Sequence, residues 1–69
     1  MYIVIEIQKN GDTVSVPPIN SYDNLFDALA RYHTILAAAA TSDVPVHTCV
    51  ILNDVGQEIR MDSYSHEAQ

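Results

Sequence analysis

His33, His47, Cys49 and His66 are the side chains of this chain whose types could do chemistry. Imidazole and thiolate are good zinc ligands, and a Cys–His pair is the heart of a thiol nucleophile. His47 and Cys49 stand two residues apart in a run of β-forming residues, so on a strand both project from one face. A structural zinc site takes four ligands, and a catalytic one takes three plus water. The sequence has no paired CxxC or HxxxH and no Asp or Glu at a matching position, so neither a metal site nor a cofactor is expected. A nucleophilic cysteine needs a low-pKa thiolate in an accessible, electropositive pocket. Cys49 lies instead among Val50, Ile51 and Leu52 in an acidic chain, surroundings that raise its pKa. The expectation is a cysteine packed as a small hydrophobe, histidines at the rims, and no enzymatic activity. Gly11 and Gly56 are the only glycines and both serve turns, so there is no glycine-rich phosphate loop.

The elements that position these residues follow from periodicity. "MYIVIEIQ" alternates, with Met1, Ile3, Ile5 and Ile7 on one side and Tyr2, Val4, Glu6 and Gln8 on the other, as a strand does. Asn10-Gly11 is a favoured two-residue hairpin loop and would pair Ile7 with Val14 and Ile5 with Val16. Pro17 and Pro18 end the second strand by removing two backbone donors. Ser21 or Asp23 then caps a helix expected from about Asp23 to Ala40. "TSDVP" breaks it, and "VHTCVILN" and "QEIRMD" form a second hairpin around "NDVG". A type I turn with Gly56 left-handed and a bulge would pair Ile51 with Ile59 and Cys49 with Met61, and a longer loop would pair Leu52 with Ile59. The expected fold is α+β: a single ββαββ domain over residues 1–62, with a polar, frayed tail at 63–69. Its four-stranded antiparallel sheet has the order 2-1-3-4, and the helix packs on one face.

Composition narrows the function classes. Nine Asp and Glu against three Lys and Arg leave only Lys9, Arg31 and Arg60 to meet phosphate, so nucleic acid and anionic membranes are not expected partners. No apolar run approaches the ~20 residues that span a bilayer. A lone cysteine and a start without signal-peptide character fit a cytoplasmic protein. At 69 residues the stability margin is thin, and oligomerisation commonly supplements it.

The helix is greasier than one sheet requires. Leu25, Leu29, Tyr32, Leu36 and Ala39 form a stripe, flanked by Ala28 and Ile35, that should meet the sheet. Phe26, Ala30, His33 and Ala37 form a second stripe beside it. The apolar arc spans about 220°, against the ~100° or somewhat more that a surface helix needs. The sheet shows the same surplus, because Val50 and Leu52 on the third strand oppose Cys49 and Ile51, and Tyr2 and Val4 join the outer face. The expected self-association surface is therefore Phe26, Ala30, His33 and Ala37 on the helix, with Tyr2, Val4, Val50 and Leu52 on the sheet. The partner is a second copy, in a homodimer or larger assembly.

With the helix laid out, "SYDNLFDALARYHTILAAAA" and "HTCVILNDVGQEI" resemble short proteins encoded by phages and prophages of gut-dwelling Firmicutes. That group has no established activity to carry over. The resemblance implies a small, oligomeric, phage-associated protein that could bind a virion or host protein. A second reading of the acidity is an inhibitor of a host enzyme or defence nuclease that occupies a basic groove.

Overall fold

The computed structural model describes residues 1–65; His66 and the rest of the expected tail lie outside the described residues. Alternating β-branched residues form β1 (Tyr2–Asn10), which turns into the short β2 (Thr13–Ser15). A third short strand, β3 (Asn20–Tyr22), precedes the helix α1 (Leu25–Ala40), and β4 (Val46–Asn53) and β5 (Glu58–Ser65) complete the chain. The fold is α+β, with one helix on an open antiparallel sheet ordered β2-β1-β4-β5. The sheet has five strands rather than four: β3 pairs with β1 on the same edge as β2, so the chain returns to that edge after the prolines. Residues 63–65 also differ from expectation, being the end of β5 rather than a frayed tail.

The first hairpin closes one residue later than Asn10-Gly11 predicts. Asn10 pairs with Thr13 and Gly11-Asp12 forms the loop, which puts Gly11, at φ 62°, in the first loop position where the backbone must be left-handed. The helix cap shifts as well. Asn24, extended at φ −115°, accepts from the Phe26 backbone N–H at 2.7 Å, so the cap is neither Ser21 nor Asp23.

The core lies between α1 and the sheet and consists of Val4, Ala28, Tyr32, Ile35, Cys49 and Ile51. Tyr2, Tyr22, Leu29 and Leu36 pack around it. The predicted helix stripe is the one that meets the sheet, but the face of β1 is reversed. Val4, expected outside, is 1% exposed under the helix, and Tyr2 packs against the same core. Both rows of β1 carry apolar residues, so alternation alone does not choose between them. Pairing with β4 does: Val4 opposes Ile51 and Glu6 opposes Cys49, so these share the helix side. Only that row brings polar groups needing buried partners, and there Glu6 finds His47 and Gln8. The isoleucine row needs no partners and faces away.

The second hairpin forms none of the expected pairs: Ile51 pairs with Arg60 and Leu52 with Glu58 rather than with Ile59, and Cys49 pairs with Asp62 rather than Met61. Gly56, at φ 82°, follows a turn closed by its N–H to the Asn53 carbonyl at 3.1 Å. The Asn53 side chain accepts from the Val55 and Gln57 N–H groups at 3.0 and 2.9 Å, fixing the loop. Leu52 pairs with Glu58, and then a bulge inserts Ile59 so that Ile51 pairs with Arg60 and Cys49 with Asp62. That single insertion turns Met61 to the side away from the helix, opposite Val50, and brings Arg60 and Asp62 beneath it.

Candidate functional site

Two places in this fold combine residues in ways worth testing for function. The first is a polar cluster inside the helix-to-sheet layer. The His47 Nδ1–H donates to Glu6 Oε2 at 3.0 Å, and Gln8 Nε2 donates to the same oxygen at 3.0 Å. A carboxylate only accepts, so Nδ1 is the donor in this pair. Cys49 lies on the same strand face as His47 and directly opposite Glu6. Sequence reasoning finds no carboxylate for His47, and the structure corrects this, because Glu6 is close only through strand pairing across 41 residues.

Cys, His and Glu are the components of a thiol triad, but they are not assembled as one. His47 Nε2 is buried and reaches no hydrogen-bonding group among the described residues, so it does not activate the thiol. Cys49 is 0% exposed, and burial, reinforced by the Glu6 charge and opposed by Arg31, pushes its thiol up to about 11. No pocket opens beside it among the described residues. His33 is exposed on the helix with its ring edge-on to Tyr32 at 5.3 Å, apart from the Glu6–His47 pair. Among the described residues no three His, Cys, Asp or Glu side chains gather to hold a metal. Beneath the helix Tyr32 donates its hydroxyl to Asp62 Oδ2 at 2.6 Å, and the Arg60 guanidinium lies over its ring at 5.6 Å.

The Glu6–His47 contact is structural, and a mutant cycle shows its sign. Replacing Glu6 by leucine strands a buried imidazole N–H and should cost about 1–3 kcal/mol. Replacing His47 by leucine in the same chain should return most of that loss, because an apolar pair carries no unmet donor. Urea midpoints of the two variants against the parent check both statements.

The second place is the sheet face away from the helix. The register lays its rows across three strands as Ile3–Leu52–Glu58, Ile5–Val50–Met61 and Ile7–Thr48–Ser63. None of the described elements covers these rows, since α1 packs on the other side and the molecule is 17 Å through its thinnest dimension. Of the residues expected on a self-association surface, Val50 and Leu52 lie here, whereas Tyr2 and Val4 lie under the helix. Phe26, Ala30, His33 and Ala37 are exposed along the helix flank, with Phe26 at 77%. Sequence reasoning assigns Ile3, Ile5 and Ile7 to the core and so misses them here. The signal for them is that theirs is the only row of β1 free of polar residues through residue 7.

Fold and face together define an α+β domain with a one-sided helical cover and a bare apolar sheet. The chain matches no protein-family model, no curated protein and no solved structure. No helix among the described residues is long and apolar enough to cross a membrane.

Proposed function

We propose that this protein is a non-catalytic, homo-oligomeric structural or interaction module that works in the cytoplasm or on a virion and is phage-associated. The observation that supports self-association is the surplus of apolar surface: an isoleucine-lined sheet face and a helix flank headed by Phe26, on a domain of 69 residues. Soluble monomers rarely leave contiguous apolar patches beyond a few hundred Å². Burying a Leu-, Ile- or Phe-sized side chain contributes about 1.5–3 kcal/mol, which adds much to so small a core. The phage association rests on the sequence resemblance alone.

Light scattering across a hundredfold range of concentration tests the reading. A mass of at least two chains, unchanged between low and high salt, is the expected result. A single 7.6 kDa species throughout, with salt-sensitive binding to a basic protein, would support the acidic-inhibitor reading instead.

A further inference from the structure

We infer that the occupant of the bare sheet face is a second copy of this chain, stacked sheet on sheet about a two-fold axis with the helices outward. This rests on the self-association reading and names the surface that carries it. Three observations support the choice of this face over the helix flank.

The first is where the charges are. Of nine acidic residues, Glu6 and Asp62 lie on the helix side, Asp12 and Asp54 in the hairpin turns, and Asp23, Asp27 and Asp43 in or beside the helix. Glu58 shares the bare face, but only at its margin where β5 begins, and Glu67 lies outside the described residues. A chain of net charge −6 therefore keeps the middle of this face free of carboxylates. Two such chains can meet there without opposing like charges at the centre. Its charges, Lys9 and Glu58, stand at the ends of β1 and β5, so the middle of the face offers nothing for a basic partner to recognise.

The second is size. The three long strands, of 9, 8 and 8 residues, rise ~27 Å and cover ~14 Å abreast, and the two three-residue edge pieces bring the footprint to roughly 500 Å² per copy. The pair then buries on the order of 1,000 Å², the lower bound of a stable specific interface. The helix flank offers one large side chain, Phe26, among alanines and His33.

The third is shape. The bulge before Ile51 is what turns Met61 to this side, opposite Val50, so the apolar row spans three strands rather than two. Sheets packed face to face lie ~10 Å apart with strands within ~30° of alignment, and an isologous contact of this kind needs only a second surface of the same twist.

The test compares Met61→Lys and Val50→Lys with Phe26→Asp by light scattering, with far-UV circular dichroism to show that each is folded. Both lysine variants should be monomers while Phe26→Asp remains a dimer. Retention of the dimer in folded Met61→Lys and Val50→Lys, with its loss in Phe26→Asp, overturns this face but leaves self-association intact. A monomeric parent overturns both. If the lysine variants do not fold, methyl-labelled parent protein decides. At high concentration, the Ile3, Ile5 and Ile7 methyls should be shielded from a soluble paramagnetic chelate that relaxes the exposed Ile19 methyls strongly. Equal relaxation of all four in a dimeric sample overturns the proposal.

Discussion

Raising the pH from about 9 to 12 is expected to unfold the protein at 25 °C, through two buried groups that resist ionisation. Burial raises the Tyr32 hydroxyl from 10.0 to about 12, helped by its hydrogen bond to Asp62, and burial raises the Cys49 thiol from 9.0 to about 11. In both cases the folded state holds its proton longer than the unfolded chain does. The stability from each is fully present below the unfolded value, about pH 9 for Cys49 and 10 for Tyr32, and is lost as pH rises through the folded one. Together the two retained protons are worth a few kcal/mol, by order of magnitude. A domain of 69 residues has only about 3–10 kcal/mol in total. Urea titrations at fixed protomer concentration should show stability flat between pH 7 and 8 and falling steeply above 9. Cys49→Ala removes the lower part of that fall and Tyr32→Phe the upper part. A parent curve flat to pH 12 would show that neither group is held neutral by the fold.

Ile51→Ala is the single substitution expected to cost most. Ile51 is 0% exposed, in the central strand β4, with Val4 on one side and Arg60 on the other and the helix above. Truncation removes the transfer free energy of the lost methyl and methylene groups and leaves a cavity that a two-layer core relaxes around only in part. The expected loss is about 3–4 kcal/mol, a third or more of the total. Val55→Ala is the matched control, an aliphatic truncation on a turn where the side chain is 76% exposed, and should change stability by less than about 0.5 kcal/mol. Because any self-association would add to apparent stability by mass action, both variants and the parent are compared at one concentration.

The element order and the helix stripe are legible in the sequence because each is written in one segment by its own period. Leu25, Leu29, Tyr32 and Leu36 recur at helical spacing, and the burial of Ala28, Tyr32, Ile35 and Ala39 follows from that spacing. What is not legible depends on pairing between segments. The face of β1 under the helix is set by its register with β4, on the far side of the helix in sequence, because Val4 and Ile5 are equally good core residues in isolation. The same holds for Glu6 and His47, which neither strand announces alone. The β3 strand escapes notice because Asn20-Ser21-Tyr22 has no apolar alternation and pairs with β1 alone. In the second hairpin, turn chemistry correctly predicts a left-handed Gly56, but not the pairing beyond it that redirects Met61. The surplus of apolar surface is visible in composition and spacing. Its location on the isoleucine row is a fact of three-dimensional pairing.

That same bulge has a further consequence at the lateral margins of the sheet. An oily, twisted slab of strands is a template for fibrils if its outermost strands are straight and unbroken. Here β5 is kinked by the inserted Ile59 and studded with Glu58, Arg60 and Asp62 in alternation. The opposite margin is split into two three-residue pieces with Pro17 and Pro18 between them. The divided margin offers no long run of backbone for a ribbon to lengthen upon, and on β5 the bulge and the charged side chains oppose it. In the proposed dimer, contact is thereby confined to the broad surface, where a two-fold stack closes after two layers.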